Sequence, residues 1–79
     1  MSRALAWSGL FVFRNTPLAE ALTQLAERHG VQLTTTDALR AQQVTGTFKV
    51  TQPLSEILEA VALTLGAQVE RTEQGYRIG

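Results

Sequence analysis

The chain has 79 residues, with seven acidic and seven basic side chains, one histidine and no cysteine. That is room for one small domain, 1–79, and its zero formal charge leaves no electrostatic footprint for nucleic acid or an anionic membrane surface. The lack of cysteine excludes a disulfide framework, a thiolate zinc site and a thiol nucleophile, and 44% apolar against 18% charged residues excludes compositional disorder.

In chain order, the first predicted element is a strand over 9–13, with Phe11 and Phe13 on one face and Leu10 and Val12 on the other. A helix follows over 17–29. Leu18, Ala21, Leu22, Leu25 and Ala26 fall on one face of a 3.6-residue period. Pro17 suits its first position, where the missing N–H costs nothing, and Asn15 or Thr16 is placed to cap it. Glu20 and Arg28-His29 complement the helix dipole at its two ends, and Gly30 supplies the left-handed residue that ends many helices. A strand over 31–35 comes next, then a link over 36–43 in which Asp37 caps a helical turn.

The pattern then restarts. A strand is predicted over 44–50, with Phe48 and Val50 inward and Thr47 and Lys49 outward. A helix over 53–65 carries Leu54, Ile57, Leu58, Val61, Ala62 and Leu65 on its stripe, opens at Pro53 and closes at Gly66. Leu63 lies off the stripe, which predicts cover on more than one side of this helix. A strand over 67–71, a turn over 73–75 and a short strand over 76–78 form a terminal hairpin.

The two halves are an internal repeat. Pro17-Leu18-x-Glu20-x-Leu22 matches Pro53-Leu54-x-Glu56-x-Leu58 at an offset of 36, which also pairs Ala26 with Ala62, Gly30 with Gly66 and Gln32 with Gln68. Upstream the offset is 37, and Gly9-x-Phe11-x-Phe13 pairs with Gly46-x-Phe48-x-Val50. Two copies fall short of the three or so that a solenoid needs. The predicted fold is therefore α+β, two βαβ repeats (β-α-β-β-α-β-β) over about 8–35 and 44–78, with helices packed on small sheets.

Little catalytic chemistry is on offer. The glycines mark strands and helix ends, not a phosphate loop, and Ser8 and Ser55 have no elbow motif around them. His29 lacks the partners that a metal ligand or general base needs, and its plainer reading is a helix-end histidine held by the dipole. Glu20, Glu27, Glu56 and Glu59 lie away from the apolar stripes, as solvated surface groups do. Nothing calls for a cofactor or a metal, and the chain reads as a non-enzyme. Trp7 is either a binding hot spot or a clamp for the N-terminal arm, the second being the plainer role. Tyr76 is either a rim contact or an edge-strand aromatic.

One feature exceeds what folding requires. The first strand is apolar on both faces, whereas its repeat mate carries Thr47 and Lys49 outward. Either the two copies sit unequally and Leu10 and Val12 are buried, or these residues form an exposed partner surface together with Trp7.

The residues that carry these patterns also carry a family resemblance. Trp7-Ser8-Gly9-Leu10-Phe11-Val12-Phe13, then Pro17-Leu18 and Ala21-Leu22, then Val44-x-Gly46-x-Phe48, Pro53-Leu54, Leu58 and the ending Gly75-Tyr76-x-Ile78 resemble the C-terminal domain of FecR-type periplasmic anti-sigma regulators. That domain is a member of the secretin and TonB-receptor short N-terminal (STN) superfamily. The resemblance covers about residues 7–78 and departs from the branch at Arg28-His29, where an Arg-Tyr pair is common.

It implies a periplasmic domain cut from an inner-membrane protein. Such a domain receives a signal from the N-terminal signalling domain of a TonB-dependent, siderophore-loaded outer-membrane transducer. Other parts of the parent chain bind the sigma factor. No small-molecule substrate, cofactor or nucleic acid is implied, and the interface is expected at Trp7, Leu10 and Val12. Two relatives of the same fold are the alternatives: the transducer's own signalling domain, or a secretin N-domain with a structural role in assembly.

Overall fold

The computed structural model describes residues 9–79. Strand β1 (Leu10–Pro17) alternates as its sequence dictates, with Phe11 and Phe13 buried and Leu10 and Val12 outward. It runs on past the predicted end at residue 13 through a bulge between Phe13 and Thr16. Asn15 sits there at φ 51°, and its N–H donates to Thr45 Oγ1 at 3.0 Å.

Asn15 and Thr16 are thus occupied in the strand and do not cap the helix that follows. Pro17 takes the N-cap position of α1 (Leu18–His29), with no side-chain cap bond. The Leu18 N–H instead donates to the Gln42 carbonyl at 2.8 Å, a tertiary substitute for a cap. Leu18, Ala21, Leu22 and Leu25 are buried. Gly30 ends α1 at φ 67°, its N–H on the Ala26 carbonyl at 2.8 Å.

After β2 (Gln32–Thr35), the link is more ordered than expected. It forms a single-turn helix, α2 (Asp37–Arg40), in which Thr36 and not Asp37 holds the N-cap position. The second half repeats the first with β3 (Gln43–Lys49), α3 (Leu54–Leu65), β4 (Val69–Arg71) and β5 (Gly75–Ile78). Gly66 closes α3 in a Schellman arrangement: its N–H reaches the Leu63 carbonyl at 3.3 Å, and Ala67 N–H reaches the Ala62 carbonyl at 2.9 Å. Leu63 is 80% exposed, so α3 is covered along one stripe only, contrary to the expectation of a second covered side.

The α+β alternation stands, but the sheets are built across the repeat. Strand β1 pairs antiparallel with β3, one strand from each half, and β2 pairs parallel with β5, again one from each. The hairpin β4–β5 completes a three-stranded sheet of order β2-β5-β4. Each half therefore places its two flanking strands in different sheets.

The core draws equally on both halves: Phe11, Phe13, Leu18, Ala21, Leu22 and Leu25 meet Val44, Ile57, Leu58, Val61, Ala62 and Ile78. Burying each of the larger side chains contributes about 1.5–3 kcal/mol. Among the described residues no helix is long and apolar enough to cross a membrane.

Candidate functional site

The site begins with the pleat of β1. Its inward residues are committed to the core. The Phe11 and Phe13 rings lie 6.1 Å apart and nearly parallel, and Phe48 approaches Phe13 at 6.2 Å. The outward residues are left over. Leu10 is 44% exposed and Val12 56%, opposite Lys49 and Thr47 across the sheet. Of the two sequence alternatives, the copies are therefore alike, and Leu10 and Val12 face outward as Thr47 and Lys49 do. Trp7 lies outside the described residues.

The main chain of the same two residues also has no partner on its outer edge among the described residues. The Val50 N–H donates to the Gly9 carbonyl at 2.7 Å, which makes residues 9 and 50 a hydrogen-bonded pair of the antiparallel ladder. Alternation makes 11/48 and 13/46 bonded pairs too, and leaves 10/49 and 12/47 as non-bonded ones. The Lys49 N–H accordingly points away from β1 and donates to Gln52 Oε1 at 2.8 Å. The N–H and C=O groups of Leu10 and Val12 point to the edge of β1 that has no strand partner among the described residues.

Two devices limit the rest of this small sheet. Gln52 blunts the β3 edge, and at the far end of β1 the Arg14 N–H is taken by Thr16 Oγ1 at 3.0 Å beside the bulge. What stays open is one short apolar stretch. It faces a groove of about 310 Å³ lined by Leu10, Phe11, Val12 and, from α1, Gln24, Glu27 and Arg28.

The α1 residues of that groove were not expected from sequence. Their only signal is their place on the helix face opposite the buried stripe, which marks them as solvated and no more.

The other singled-out residues fall elsewhere. His29 is half-buried in the last turn of α1, with its ring 6.3 Å from that of Phe11. Its Nε2 is buried without a hydrogen-bond partner among the described residues, so the ring packs as an aromatic surface. Tyr76 is on β5, the middle strand of its sheet, so it is not an edge aromatic. The Arg71 guanidinium lies 5.9 Å over its ring, directly across the ladder. Glu20, Glu27, Asp37, Glu56 and Glu59 are all exposed, and no group of three metal-ligating side chains occurs among the described residues. The arrangement suits docking of a polypeptide strand.

Comparison with known proteins gives the chain a family. Residues 10–78 match the family described as FecR, C-terminal, and the chain belongs to it. Among solved structures it is similar to a proposed anti-sigma factor from Parabacteroides distasonis ATCC 8503. The crystal structure of that protein at 1.65 Å superposes with a TM-score of 0.81 at 17% identity, covering 96% of this chain and 36% of the other. A second crystal structure so described, from the same organism at 2.50 Å, gives 0.79 at 17% identity, covering 95% and 36%. The likeness establishes the shared fold, and this chain spans about a third of the length of those proteins. No curated protein matches it.

Proposed function

We propose that the chain is the signal-receiving C-terminal domain of a FecR-like anti-sigma regulator, and that it acts by protein–protein contact without catalysis. Its membership of the FecR C-terminal family supports the regulator branch over a transducer or secretin domain. In this reading the fold is STN-like, the domain lies in the periplasm, and an inner-membrane anchor joins it to the part that binds the sigma factor. Its partner is the N-terminal signalling domain of a TonB-dependent outer-membrane transducer that reports iron-siderophore uptake.

The observation that carries the reading is the open edge of β1. Leu10 and Val12 offer apolar side chains and free main-chain groups at one place, which is what strand addition uses. Apolar side chains half turned to water contribute less to this fold than the buried Phe11 and Phe13, whereas in a contact they supply the desolvated centre.

The double substitution Leu10→Ser, Val12→Ser tests it. Affinity for the transducer's signalling domain, read by calorimetry, is expected to fall at least tenfold, while the melting temperature moves little. Unfolding of the variant would place both residues in the core, and unchanged affinity would move the interface elsewhere. The parent gene is expected to encode a segment of about 20 apolar residues upstream of this domain.

A further inference from the structure

Helix α1 is flanked by two open strand edges, and only the β1 edge belongs to the site above. On its other flank a groove of about 440 Å³ runs between α1 and β2. One wall is formed by Ala19, Leu22, Thr23, Ala26 and Glu27, and the other by β2 itself, with Arg40 of α2 at one end. The small side chains of Ala19, Thr23 and Ala26 leave room between helix and strand.

The strand wall has an unspent edge. In the sheet β2-β5-β4, β2 pairs on one side only among the described residues. The Gln32 N–H donates to the Gln74 carbonyl at 3.0 Å, which sets the phase of the parallel ladder. Gln32 and Thr34 then bond to β5, and the N–H and C=O groups of Leu33 and Thr35 point into the groove.

Apart from the open stretch at Leu10 and Val12, the other edges of the two sheets are defended. The bulge and Thr16 end the β1 edge, Gln52 caps β3, and β4 is only three residues long with Glu70 and Arg71 on it. Strand β2 is uncharged from Gln32 to Thr35 and carries no such device.

The ends of the groove differ in sign. The chain reverses at Gly30, so Glu27 lies at the end where β2 begins, beside the negative end of the α1 dipole. Arg40 follows Thr35, and lies with Ala19 at the opposite end, beside the positive start of α1.

We propose that this groove binds an extended segment of a second protein, added antiparallel to β2, the more stable ladder per residue. Its side chains toward the groove are an acidic residue at the Arg40 end, small apolar residues in the middle and a basic residue at the Glu27 end. Main-chain bonds to Leu33 and Thr35 hold the segment, and the two charges set its direction. This goes beyond the role of the β1 edge and does not depend on it.

The probe is the peptide acetyl-Asp-Thr-Val-Thr-Val-Thr-Lys-amide, titrated into the isotope-labelled 79-residue chain. Binding is expected to shift the Leu33 and Thr35 amide signals and to slow their hydrogen exchange at least tenfold. Thr23→Trp, at an exposed helix position, is expected to fill the groove and abolish binding with the melting temperature unchanged. Arg40→Glu is expected to weaken binding about tenfold, and the double variant Glu27→Lys, Arg40→Glu to favour the peptide with Asp and Lys exchanged. Perturbation confined to Leu10 and Val12, equal binding of the exchanged peptide by the unaltered chain, or protection of the Leu33 and Thr35 amides in a dimer without peptide would each overturn the proposal.

Discussion

Gly75 shows how a single residue holds the two halves together. It opens β5 directly opposite Gln32, and a Cβ there would run into the Gln32 carbonyl and its neighbouring backbone. The clash is with main chain, so no side-chain rotation relieves it. Gly75→Ala is expected to destabilise the chain by about 2 kcal/mol, lowering Tm by roughly 10 °C in a thermal melt. Gly75 was legible in sequence as a turn residue, but its steric role was not, because Gln32 lies in the other half of the chain.

The same scale separates Leu63 from Val61. Both are apolar residues of α3, yet one is 80% exposed and the other 2%. Phase on the helix decides this, and hydrophobicity alone does not.

At the scale of the element, the helices are the part most governed by local sequence. Each has an apolar stripe, a proline at the entry and a glycine at the exit, and each glycine adopts the left-handed conformation. A Cβ added at Gly30 or Gly66 meets nothing within 4 Å, so the cost of alanine is conformational only. Gly66→Ala is therefore expected to cost about 1 kcal/mol by chemical denaturation, roughly half the penalty at Gly75. The N-termini were less legible. Asn15 and Thr16 have the chemistry of caps, but the bulge of β1 uses them, and the donor of Leu18 is satisfied by Gln42 from a distant loop. A local rule about capping fails where a tertiary bond takes its place.

The whole molecule is an exchange of strands between two similar halves. Since β1 has its partner in β3 and β2 in β5, neither half contains a complete sheet. A peptide of residues 1–41 is expected to show no cooperative melting by circular dichroism, and mixing it with 42–79 to restore the transition. A first half that folds alone would contradict the exchange. The same topology sets the functional surface. By placing β1 and β2 in different sheets on either flank of α1, it leaves each, among the described residues, with one unpaired edge facing a groove.

The amino-acid sequence by itself determined the helices and their glycine-marked C-terminal ends, the repeat, the inward faces of the strands and the family, because each of these is written in spacings within a few residues or in a run of characteristic positions. It also marked Leu10 and Val12 as surplus to a one-sided strand. It left open whether they are buried, which strands pair, and where a groove forms. Those matters depend on contacts between residues some thirty to forty positions apart, and local periodicity carries no information about such partners. Only the tertiary structure decided that the halves exchange strands, and with that decision came the open edges of β1 and β2.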